Sequence, residues 1–227
     1  MSKKIVYVGL EQCDIVYHLA TVLSLKSEKL IVVDDSLSHD LFKSVCKDPD
    51  AYVYEWRNII FARDIDLWKS DEIYDADYII EYAGMNYEQQ FKDRASIKEE
   101  SVNDKQVLWL VMPDYTHTGV QAATQIAASR SENDEVMYIP RNFCTNKITD
   151  KSLAIIMGIT PTEIDGHIPF DVTDMAAYVA LTHNGHQNIK GISATTLEAI
   201  TFITSKVCKA DVKAVKKMIS DAKKIRR

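Results

Sequence analysis

The sequence has little of what usually announces a chemistry. Its 227 residues include only four cysteines. Cys13, Cys46, Cys144 and Cys208 are scattered, with no CxxC pair, which argues against a zinc site or a disulfide framework and for reduced thiols. No apolar run approaches the roughly 18–20 residues of a membrane span. Residues 1–4 lead straight into an apolar segment, with no signal core and no cleavage site, so no secretory leader is expected. There is no glycine-rich fingerprint. Gly9-Leu10-Glu11-Gln12-Cys13-Asp14 carries a single glycine, so a dinucleotide site is not expected, although Asp34 stands about the right distance downstream. Internal repeats, low-complexity segments and clear linkers are also missing.

What is present is ordinary for a soluble α/β domain: 46% hydrophobic and 26% charged residues. The net charge of −6 is unevenly spread. Residues 206–227 hold nine basic and two acidic side chains, a net of +7, so the remainder carries −13. Broad attraction of nucleic acid by the body is not expected, whereas the tail suits an acidic surface.

Short apolar runs alternate with helical patterns along the whole chain. Residues 4–8 read as a buried first strand, and 14–25 as a helix with Ile15, Val16, Leu19, Ala20, Val22 and Leu23 at helical spacing. Residues 29–33 form a second strand that ends in Asp34-Asp35. Further strands are expected within 52–61 and at 76–81, 107–112, 136–139 and 163–168. Helices are expected at 37–46, 87–103, 118–129, 151–157, 175–181, 194–208 and 211–225, with a loop or helical turn at 64–70. This order describes a doubly wound, mostly parallel sheet in three αβα layers, with residues 1–210 as one domain and 211–227 as a basic C-terminal helix.

The order of elements resembles the MinD/ParA family of deviant-Walker ATPases, with a P-loop NTPase fold. His18-Leu19-Ala20 stands where the family has "NLA". Ala76-Asp77-Tyr78-Ile79-Ile80-Glu81 matches the strand that carries the Walker B aspartate. Pro113 follows a core strand, Arg141-Asn142 echoes "NR" in reverse, and Ile168-Pro169-Phe170-Asp171 matches a late "IP(Y/F)D". The resemblance implies a nucleotide site at Gly9, Glu11, Gln12, Cys13, Asp14, Asp34, Glu81 and Asp171. It is a degenerate one, because Gln12 replaces the lysine, Cys13 and Asp14 replace the hydroxyl residues and Glu11 replaces a glycine. A phosphate loop works through successive glycine N–H groups, a lysine and a magnesium-binding hydroxyl. Carboxylates there would repel a polyphosphate by about 4 kcal/mol per pair at 4 Å near the surface.

The resemblance therefore implies a homodimeric, non-catalytic member of the family. Such a member acts in positioning or assembly of a pilus, secretion, conjugation or partition machinery through protein contacts, in the manner of the TadZ/CpaE type. No cofactor is expected. The alternative is an ATP-binding or ATP-hydrolysing switch with an atypical Mg-ATP site, in which Asp34, Glu81 and Asp171 face the nucleotide. A second alternative is a membrane- or DNA-associated adaptor using the tail. In that tail Val212, Val215, Met218, Ile219, Ala222 and Ile225 form an apolar stripe, while Lys213, Lys216, Lys217, Lys223, Lys224, Arg226 and Arg227 supply charge. The implied location is the cytoplasm, with peripheral contact at the inner face of the membrane.

Other signals are weighed against plainer readings. Asp34, Asp35, Glu81, Asp114 and Asp171 fall at expected carboxyl ends of strands, where open α/β sheets place ligands; salt-bridged loop residues are the plainer reading. His183 and His186 have no Cys/His pair beside them and read as surface-loop residues. Cys144 has no assignable catalytic partner.

Overall fold

The computed structural model describes residues 3–63, 75–85, 107–129, 134–143 and 148–225. The expectations at 64–70 and 87–103, and those for Cys144, Arg226 and Arg227, lie outside the described residues.

Seven strands form one sheet in the order β3-β4-β2-β5-β1-β6-β7. They are β1 (Lys3–Gly9), β2 (Leu30–Asp34), β3 (Val53–Trp56), β4 (Ile59–Ala62), β5 (Tyr78–Gly84), β6 (Val107–Met112) and β7 (Glu135–Tyr138). Every pairing is parallel except the β3–β4 hairpin at one edge. The buried strands are runs of Val, Ile and Leu without alternation, as expected when helices cover both faces.

Seven helices are described: α1 (Asp14–Leu23), α2 (Asp40–Val45), α3 (His117–Ser129), α4 (Asp150–Met157), α5 (Val172–Asn184), α6 (Ala194–Cys208) and α7 (Val212–Ala222). On one face, Ile5, Tyr7, Leu30, Ile80, Tyr82 and Leu110 pack with α1, α2, α5, α6 and α7. On the other, Val6, Val8, Trp109 and Val111 pack with α3 and α4. From β1 the chain crosses to β2 on one side, and from β5 it crosses to β6 on the other. The crevice of this sheet therefore opens at the carboxyl end of β1.

One expectation is corrected. Residues 163–168 do not form a strand of the main sheet. Thr160 and Glu163 close a capping box, the Glu163 carboxylate accepting from Thr160 N–H at 2.7 Å, and this pulls 161–163 into a 3-10 turn. Ile164 makes one parallel bridge to Tyr138 of β7, and Ile168–Pro169 (β9) pairs with β8 (Arg141–Phe143) in a separate two-stranded sheet. Proline lacks the N–H that would prolong the ladder.

The tail helix is docked on the body of the chain. Asp211 caps α7 by accepting from Ala214 N–H at 2.8 Å. Val215, Met218, Ile219 and Ala222 are buried in the same core as α1 and α6. The apolar stripe is thus spent on packing, and the lysines Lys213, Lys216, Lys217 and Lys224 face solvent. Among the described residues, no helix is long and apolar enough to cross a membrane.

Candidate functional site

The crevice is built by the turn from β1 to α1. Gly9 has φ +140°, and a Cβ there would lie 2.1 Å from the Met112 carbonyl oxygen, so only glycine permits this approach of β1 and β6. The turn then folds on itself. Leu10 N–H donates to Met112 O (3.3 Å), Gln12 N–H to Leu10 O (2.8 Å), and the buried Tyr7 hydroxyl to Leu10 O (3.0 Å). Two of its N–H groups are therefore already engaged within the chain.

At the first residue of α1 stands Asp14, wholly buried, and Arg141 grips it from β8. Arg141 Nη1 donates to Asp14 Oδ1 at 2.8 Å and Nη2 to Oδ2, a two-pronged pair with the arginine only 2% exposed. The carboxylate and the neighbouring tyrosine hydroxyl raise the Arg141 pKa against the opposing effect of burial, so the guanidinium stays charged. Asn142 takes a left-handed φ of 59°, and its amide reaches Gln12 Oε1 at 3.3 Å. A carboxylate at a helix N-terminus is favoured by the helix dipole. Here it is also neutralised by a buried cation.

The remaining residues of the expected site separate into two groups. Glu11 folds over Gly84 and accepts from Leu37 N–H at 3.2 Å. Cys13 is buried and faces Asp40, and burial drives its thiol pKa well up, so it is a neutral group and not a reactive thiolate. Asp34 ends β2 on the same face. It accepts from Ser36 N–H (3.1 Å), the Ser36 hydroxyl (2.6 Å) and Phe42 N–H (2.8 Å), shaping the bend into α2. Burial outweighs these bonds and lifts its pKa to about 6. Asp40 has its pKa raised by burial as well, and it accepts from the Tyr178 hydroxyl at 3.2 Å. Gly9, Glu11, Gln12, Cys13, Asp14 and Asp34 are thus brought together.

Glu81 and Asp171 are not part of this group. Glu81 lies within β5, three residues before its end, opposite Val6 in the register. Strand alternation turns it to the face away from α1, where it pairs with Lys4 Nζ at 2.8 Å. Asp171 is spent as the N-cap of α5, accepting from Thr173 N–H at 2.6 Å, which lowers its pKa.

His186 corrects the surface-loop reading. Its ring stacks on Trp56 with centroids 4.1 Å apart at 19°. Tyr17 Oη lies 3.2 Å from Nδ1 and Tyr54 Oη 3.1 Å from Nε2. Burial lowers its pKa to about 4, so the ring is neutral, and it ties the β3–β4 hairpin to α1 and the loop after α5. His18, on α1, is fully buried, and burial likewise lowers its pKa to about 4.

Sequence reasoning missed two members of this assembly, Arg141 as the partner of Asp14 and Asp40 beside Cys13, and it misread His186. The first could have been suspected from a lone charge at the start of an otherwise apolar helix, which demands a counter-ion. Among the described residues no cluster of His, Cys, Asp and Glu is arranged to hold a metal.

The fold has a counterpart. The chain aligns with the crystal structure of a ParA family ATPase from Chlorobium tepidum TLS at a TM-score of 0.53 and 14% identity, over 97% of this chain and 98% of that one. At that identity the likeness shows the fold alone, a mostly parallel three-layer α/β architecture. No family profile matches the sequence, and neither does any curated protein.

Proposed function

We propose that this chain is a ParA/MinD-like protein that has exchanged nucleotide chemistry for protein contacts. It would act in the cytoplasm as a non-catalytic component that positions or assembles a larger machinery. One observation carries the reading: the position where such a fold receives an anion, the N-terminus of the first helix, holds the chain's own Asp14 carboxylate clasped by Arg141.

A triphosphate does not fit the residues present. Its phosphates would meet turn N–H groups already bonded to Met112 and Leu10, and the Glu11, Asp34 and Asp40 carboxylates nearby. No lysine follows the turn to offset them.

A homodimer across the carboxyl edge of the sheet is the arrangement that the resemblance implies. Leu37, 68% exposed after β2, and Phe170, exposed after β9, supply apolar surface there. Calorimetric titration with Mg-ATP, together with light scattering in its presence and absence, tests the reading. No saturable heat and a mass independent of ATP are expected. Saturable binding, or a monomer that dimerises only with ATP, would overturn it.

A further inference from the structure

Helix α5 turns no Asp, Glu, Lys or Arg to solvent; its exposed polar residues are Thr173, His183 and Asn184. A surface helix normally turns charges to water on the side opposite its buried stripe. On α5 the inward side carries Leu181, Tyr178 and Asp174, the last accepting from Ser193 N–H, the Ser193 hydroxyl and the Thr196 hydroxyl at 2.6–2.8 Å. Its outer arc holds Val172 (74% exposed), Val179 (46% exposed) and the exposed Ala176, followed by the half-buried Ala180 and Ala177. At 100° per residue these five positions fall within a sector of about 160°, which the exposed Thr173, His183 and Asn184 share. Helix α7 shows the usual arrangement, its outer face being lined by Lys213, Lys216 and Lys217.

Along one side of this sector runs an open cleft of about 800 Å³. Ala176, Ala177 and Ala180 form its floor, and Lys190, Lys223 and Lys224 stand on its rim. The rim is built. Asn188 caps the turn that presents Lys190, accepting from Lys190 N–H at 2.9 Å. The same Asn188 amide holds the carbonyls of Lys223 and Ile225 at 3.2 and 2.8 Å. Lys224 is shared with Asp221 at 2.6 Å. No carboxylate stands among the cleft's described lining residues, in a chain whose net charge is negative.

From the apolar floor and the cationic rim together, we infer that α5 and the cleft beside it dock an acidic amphipathic helix of a partner protein. Small floor residues let a helix backbone approach closely, and the exposed valines accept its apolar ridge. Asp and Glu on the flanks of the incoming helix meet Lys190, Lys223 and Lys224. The thirteen residues of α5 span about 20 Å, enough for about three and a half turns of a partner helix. The inference rests on the reading of the chain as a protein-binding component and names the chemistry of one partner.

A display library of 16-residue peptides selected on the full chain tests it. The enriched consensus is then measured by fluorescence anisotropy. Enriched peptides should carry apolar residues at i, i+4 and i+7 with Asp or Glu beside them, and binding should weaken as salt rises. The paired substitution Ala176→Glu/Ala180→Glu and the paired substitution Lys190→Glu/Lys223→Glu should each weaken binding by about tenfold or more. Circular dichroism checks the fold of both, and the lysine pair, being on the surface, carries the test if the alanine pair unfolds. Equal binding by the substituted chains, equal binding by a scrambled peptide, or binding only to phosphatidylglycerol vesicles would overturn the inference. The Mg-ATP titration does not involve this surface, so failure here and failure of the proposed function are told apart.

Discussion

Arg141 and Asp14, 127 residues apart in sequence, form a two-pronged ion pair that is closed to solvent at the start of α1. Removing one member leaves a buried charge without its counter-ion, which typically costs 3–5 kcal/mol. Arg141→Met and Asp14→Leu should each lower stability by about that amount in urea denaturation. The double variant should recover much of the loss, because an apolar pair leaves no charge stranded. Additive losses would show that the two side chains do not act as a pair.

Acid stability is set by groups that pull in opposite directions. His18 and His186 have pKa values lowered to about 4, so the unfolded chain binds their protons more readily. Their contribution is present above about 6.5 and is lost as pH falls toward 4. Asp34 is the reverse. With its pKa raised to about 6, it favours the folded state when protonated, and that benefit is lost as pH rises from about 4 to 6. Denaturation midpoints measured across this window should therefore fall more gently on acidification in His18→Leu than in the parent. In Asp34→Asn they should fall more steeply. Identical profiles would mean that neither group titrates as its burial requires.

His186 pins the edge hairpin. His186→Ala removes a ring stack, worth about 0.5–1.5 kcal/mol, and two tyrosine hydroxyl partners at about 1 kcal/mol each. A loss of roughly 2–3 kcal/mol is expected. Amide exchange should accelerate first at residues 53–56, since β3 is the antiparallel edge strand. Uniform acceleration across the sheet would argue against a local pin.

Deleting the tail is a poor test of membrane binding. Val215 is fully buried and Met218, Ile219 and Ala222 nearly so, so truncation before Asp211 opens the core. Val215→Ala alone should cost about 1–3 kcal/mol by denaturation. Lys213→Glu with Lys216→Glu and Lys217→Glu should leave the fold intact and isolate the charge. If sedimentation with anionic vesicles is seen for the parent and persists in that triple variant, the lysine face is not what binds.

The sequence by itself determined the element order, the parallel character of the sheet and the crevice at the end of β1. Continuous apolar runs and the 3.6-residue period are local signals, and Gly9, the glycine-poor turn after it and Asp14 could be read in place. Tertiary structure decided which charges meet. Nothing local shows that Arg141 reaches Asp14, because that contact depends on where the chain carries β8 after leaving β7. Nor did the motif place Glu81, which strand register turns away from α1 while Tyr82, its neighbour, faces it. The apolar stripe of the tail looked the same for a membrane helix as for a docked one, and only the complementary faces of α1 and α6 gave it a core to enter. The uncharged outer arc of α5 was equally illegible: alanine and valine read as interior residues until the fold showed which of them face solvent.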